Sequence, residues 1–110
     1  MSLSQNDMGR AFEYGIAVSL SKYLPAPIKE SIQMLKAKQC FESCLVHEQD
    51  NIVKAASEAT AFLVAHDDRL SEQDCQISLQ SDQAGKFGDV RDIIVHNDNL
   101  DEDIGISAKN

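Results

Sequence analysis

Apolar residues recur every four positions near the start of the chain. In MGRAFEYGIAVSLSKYL, Phe12, Ile16 and Leu20 form one stripe and predict a helix over about residues 7–23, capped by Asn6 or Asp7. Pro25 and Pro27 then break the pattern, and Pro27 suits the first turn of a second helix. That helix would carry Ile28, Ile32, Leu35, Cys40, Phe41, Cys44 and Leu45. The stretch NIVKAASEATAFLVAHDDRL repeats Ile52, Ala56, Ala59 and Leu63 and is rich in alanine, which predicts a third helix. Residues 1–70 therefore read as a helical hairpin or bundle.

After residue 70 the period shortens to two. CQISLQSD alternates Ile77 and Leu79 with polar neighbours, RDIIV is β-branched, and DIGISAK alternates Ile104, Ile106 and Ala108 with Gly105, Ser107 and Lys109. The connections AGKFGD and HNDNLDED are short and built of turn residues, so residues 71–110 predict a three-stranded antiparallel meander. The class is α+β: about three helices followed by three strands. A chain of 110 residues supports a single domain with one modest core, and it contains no repeat or low-complexity segment.

Composition narrows the functional classes. Apolar and charged fractions of 43% and 25% are those of a folded, soluble domain. Neither a membrane-length apolar run nor a signal-peptide pattern is present, so a cytoplasmic protein is expected. Cys40, Cys44 and Cys75 are expected to be reduced thiols. Eighteen acids against ten bases give a net charge of −8, which argues against a domain that grips nucleic acid through its own total charge.

Strand alternation decides which side chains can meet. Asp92 and Ile94 share one face of their strand, and Ser107 and Lys109 share the face opposite Ile104 and Ile106, so Asp92 can meet Ser107 and Lys109 across the hairpin. Asp89, three residues earlier, would point the other way in extended backbone and ranks below Asp92. Such an aspartate can hold a divalent cation beside a phosphodiester, and such a lysine can orient the attacking water and counter developing negative charge. The plain alternative is a solvated ion pair. Glu13 lies about 60° from the centre of the first helix's stripe, bordering the buried face. Its plain reading is a helix-flank glutamate in water.

GRAFEYGIA, GDVRDIIV and IGISAKN, in that order, resemble the amino-terminal part of HaeIII-type type II restriction endonucleases and, more broadly, the PD-(D/E)xK nuclease fold. The resemblance covers both ends of the chain, whereas residues 25–75 carry no recognised motif. It implies that Asp92 is the metal-binding aspartate, Lys109 the catalytic lysine and Glu13 the first-helix glutamate that completes the metal site. Ser107 stands where the family pattern has Asp or Glu, so Glu13, Asp89 or an acid beyond Asn110 would compensate. It further implies double-stranded DNA as substrate, GGCC as recognised sequence, magnesium as cofactor, and a partial restriction-endonuclease-like core that is inactive alone as an amino-terminal fragment. Cutting both strands of a pseudo-twofold duplex invites a homodimer.

Other candidate chemistry is thinner. Cys40, Cys44 and His47 would share one helical face, but they lack a fourth ligand and read as core. HNDNLDED is rich in oxygen donors, yet it lacks the sixth-position glycine and terminal glutamate of an EF-hand and reads as a solvated hairpin loop. His66 ends the third helix, and His96 lies at the hairpin mouth with no serine or cysteine partner. Two rival readings remain: a small acidic interaction module without catalysis, and a regulatory metal-binding domain built on the acidic loop.

Overall fold

A computed structural model of the chain describes residues 5–70, 74–80 and 92–107. Three helices, α1 (Gln5–Tyr23), α2 (Ile32–Glu42) and α3 (Val46–His66), precede three strands, β1 (Cys75–Leu79), β2 (Ile93–Asn97) and β3 (Glu102–Ile106). The strands form one antiparallel sheet in the order β1-β2-β3. This is the α+β arrangement expected from the change of period.

Each strand alternates as its sequence dictates. Cys75, Ile77 and Leu79 of β1, Ile93, Val95 and Asn97 of β2, and Ile104 and Ile106 of β3 are buried on one face of the sheet. Register keeps these residues opposite one another: Ile77 with Val95, Val95 with Ile104, Ile93 with Ile106. A one-residue slip would turn every one of them to water. Over this face lies α1, whose Ile16, Ala17 and Leu20 join the same core together with Leu24 just beyond the helix. Full burial of residues such as Leu20, Ile77 and Ile93 contributes roughly 1.5–3 kcal/mol apiece, which makes this layer the main source of cohesion.

On another side of α1, small residues allow α3 to approach closely. Ala11 is fully buried, and a Cβ built on Gly15 would fall 2.6 Å from Ile52 Cγ2. Ala11, Cys44 and Ile52 form a second, smaller cluster that Met8, Phe12, Cys40 and Phe41 cover. The α2–α3 corner is closed by Gln49, whose side-chain amide donates to the carbonyls of Phe41 (3.1 Å) and Cys44 (3.2 Å). Glu48 accepts the N–H of Leu45 at 2.8 Å at the start of α3.

Four local expectations are corrected. Asn6 and Asp7 lie within α1 rather than capping it. Pro27 does not open the second helix: its carbonyl accepts the Ile77 N–H at 2.9 Å, and Lys29 N–H donates to the Ile77 carbonyl at 2.7 Å. Ile28 thus makes a parallel bridge to Ile77, and α2 begins only after Ser31, whose hydroxyl caps it by accepting from the Met34 N–H. With that shift the inward face of α2 is Met34, Ala37 and Phe41, while Ile32 and Leu35 are exposed. Cys44 and Leu45 fall beyond α2, so Cys40, Cys44 and His47 do not share a helical face.

Among the described residues, no helix is long and apolar enough to cross a membrane.

Candidate active site

Asp92 is placed one residue before β2 and Ser107 one residue after β3, at the end of the hairpin away from its turn. The Asp92 N–H donates to the Ile106 carbonyl at 3.0 Å, and the Asp92 carbonyl accepts from the Gln80 N–H at 2.9 Å, so backbone bonds on both sides fix this position. Ser107 Oγ lies 3.5 Å from Asp92 Oδ2, a long contact for a hydroxyl and a carboxylate. The carboxylate is half-buried and the serine exposed. An oxygen pair is thus positioned at a solvent-accessible edge of the sheet by the main-chain pairing on both sides of Asp92.

The other expected residues divide into two groups. Glu13 is described and half-buried. It lies seven residues before the fully buried Leu20, which brings it within about 20° of the same direction two turns earlier on α1. The preceding residue, Phe12, lines a cleft of 480 Å³ together with Ile16, Gly105, Ile106 and Ser107, so this part of α1 shares a cleft with the end of β3. The charge of Glu13 is also felt on α2: with Asp7 it helps to raise the Cys40 thiol, whose shift is due first to burial. Asp89 and Lys109 lie outside the described residues. Asp92 and Ser107 are therefore the expected site residues whose contact the structure displays directly.

Among the described residues, no three or more His, Cys, Asp or Glu side chains gather to hold a metal ion. Magnesium asks less than that of the protein, because it is commonly held by one or two carboxylates with water and substrate phosphate in the remaining positions. The hard oxygens of Asp92 are of the right chemical type. The thiols do not compete for the role: Cys40 and Cys44 are free and both are raised by burial, with Cys40 donating towards Asp7 at 3.7 Å.

The far end of the hairpin holds groups that sequence reasoning undervalued. His96 Nδ1 is 2.6 Å from Asp103 Oδ1, while its Nε2 is 3.1 Å from Asp98 Oδ1 and 3.9 Å from Asp101 Oδ1. The hydrogen bond with Asp103 is the first cause of an upward shift in the imidazole's titration, and the charges of all three aspartates add to it. Period-two alternation could have found the Asp103 contact, because these residues are register partners. On the opposite face Asn97 is buried, donating to the Arg69 carbonyl at 2.7 Å and accepting from the Leu100 N–H at 3.2 Å. Arg69 in turn forks onto Asp67 (2.9 and 2.8 Å), and that hydrogen bond is the first cause holding the Asp67 carboxyl below its ordinary range. The acidic loop is thus a tied turn.

The HaeIII restriction endonuclease family model matches residues 9–110. The type II restriction enzyme HaeIII of Haemophilus aegyptius is 23% identical over 115 residues, covering 99% of this chain and 36% of that enzyme. The chain thus spans about a third of the length of this curated relative. No solved structure matches it. The family match takes in most of α1, all three strands and both members of the Asp92–Ser107 pair, and the chain belongs to the HaeIII restriction endonuclease family.

Proposed function

We propose that this chain forms the amino-terminal part of a cytoplasmic type II restriction endonuclease that hydrolyses phosphodiesters of double-stranded DNA with magnesium. The observation that carries the reading is the Asp92–Ser107 pair at the open hairpin end, within a chain matched to a restriction endonuclease family over residues 9–110. Asp92 binds the cation, with Glu13 or Asp89 supplying the acid that the family pattern has where Ser107 stands. Magnesium, when bound, would polarise the scissile phosphate and offset charge on the leaving oxygen. Lys109 orients the attacking water and counters the charge that develops on the phosphate. Ser107 holds the Asp92 carboxylate in place through its hydroxyl.

The net charge of −8 leaves the phosphate-binding surface to other parts of a family-length protein. GGCC is the recognised sequence that the resemblance supports, and a twofold dimer is the assembly that suits cutting two antiparallel strands. The test is magnesium-dependent cleavage of GGCC-containing duplex DNA by a family-length protein carrying this chain. Asp92→Asn and Lys109→Ala should each reduce cleavage by at least about 100-fold, the scale of losing one preorganised electrostatic group. Cutting at the unaltered rate by either variant would overturn the assignment, and cutting at unrelated sequences would overturn GGCC.

A further inference from the structure

We propose that His96 is a proton-operated latch on the β2–β3 turn: as imidazolium it ties Asp103 of β3 to Asp98 of the turn, and loss of one ring proton releases the Asp98 side. The argument begins with hydrogen-bond inventory. Both ring nitrogens face carboxylate oxygens, Nδ1 at 2.6 Å from Asp103 and Nε2 at 3.1 Å from Asp98. A neutral imidazole has a single N–H, so in that form one nitrogen would aim a lone pair at a carboxylate. Only the doubly protonated ring satisfies both contacts.

Among the described residues, His96 is the cation that pairs with these three aspartates. The groups facing the ring are Asp98 and Asp101 from the turn and Asp103 from β3, and its register partner on β1 is the uncharged Gln76. When the proton leaves, the shorter contact should keep its hydrogen, so the neutral ring carries it on Nδ1 toward Asp103. Asp98 and Asp101 then face a lone pair.

The inner side of the same turn is held differently. Asn97 ties it to Leu100 and to the Arg69 carbonyl through an amide that does not titrate, and Asp98 N–H donates to the Asp74 carbonyl at 2.8 Å. The latch therefore loosens one side of an anchored turn without opening the hairpin. Four residues separate His96 from Asp92, about 13 Å along a strand, so the latch stands whether or not the nuclease reading does.

Stability from this tie is fully present below the ordinary imidazole range and is lost as pH rises through the elevated folded-state value. The experiment is a ¹⁵N-detected imidazole titration of the whole chain, folded and in urea. The folded His96 midpoint should lie above the urea value, fall in Asp103→Asn, and end in the Nδ1–H tautomer. Backbone signals of Asp98 and Asp101 should follow the same midpoint, while the Asn97 side-chain amide should not. In His96→Gln the extra loss of melting temperature between pH 6 and 9 should vanish. A midpoint equal in folded and unfolded chain, or turn signals indifferent to it, would overturn the proposal.

Discussion

Replacing Gly15 with alanine tests the close approach of α1 to α3. The new Cβ would sit 2.6 Å from Ile52 Cγ2, with Ala56 Cβ at 3.5 Å and the Ile52 carbonyl at 3.8 Å. Carbon atoms prefer about 3.5–4.0 Å, so the first contact is too close by roughly 1 Å. Ile52 cannot easily yield, because a β-branched residue in a helix is held largely to one χ1 rotamer and its Cγ2 moves only with that torsion. Overpacking of this kind costs about 1–3 kcal/mol, and the better helix propensity of alanine returns about 1 kcal/mol, leaving a net loss of roughly 0–2 kcal/mol.

An internal control lies two turns earlier on the same helix. A Cβ at Gly9 meets nothing within 4 Å, so Gly9→Ala should express the propensity gain alone and stabilise by up to about 1 kcal/mol. Urea unfolding followed by far-ultraviolet circular dichroism gives both numbers, provided the slopes stay equal. Adding Ile52→Leu, which removes the branched methyl, should abolish the penalty of Gly15→Ala, so the pair should be strongly non-additive. If Gly15→Ala stabilises as much as Gly9→Ala, the close contact is not there.

Two further outcomes follow from buried polar groups. Thr60 is fully buried and its hydroxyl has no hydrogen-bond partner among the described residues, so Thr60→Val should leave stability unchanged or raise it by up to about 1 kcal/mol in the same urea assay. Asn97→Ala should instead cost about 2–3 kcal/mol, because it leaves the Arg69 carbonyl and the Leu100 N–H without the amide they share. A smaller loss than that of an exposed control such as Asn51→Ala would contradict the clamp.

Much of the architecture was legible because local period and tertiary burial agree. Phe12, Ile16 and Leu20 marked the buried side of α1, and alternation in the three strands placed Ile77, Ile93, Val95, Ile104 and Ile106 inward. The second helix was misplaced for a non-local reason: Ile28 is claimed by β1 through a parallel bridge, and no helix-capping rule applied to residues 25–30 reveals a partner fifty residues away. Ser31 was the available signal, a good cap immediately before Ile32, and taking it would have turned Ile32 and Leu35 outward. At the site, alternation was enough to bring Asp92 towards Ser107. The carboxylate cage around His96 required the register as well, because Asp98, Asp101 and Asp103 are just a run of turn acids until a strand pair folds them around one ring.

The short bridge at Ile28 has a consequence for how copies of the molecule can meet. A sheet recruits neighbours through unpaired strand edges. On β1 the segment from Pro27 to Lys29 already occupies part of that edge, whereas among the described residues β3 has no strand on its outer side. Joining β3 to β3 about a twofold axis would pair that edge on both molecules and leave a partly covered β1 edge at each end. Association through the sheet beyond two copies would then be disfavoured, with a stretch of three residues acting against fibre growth.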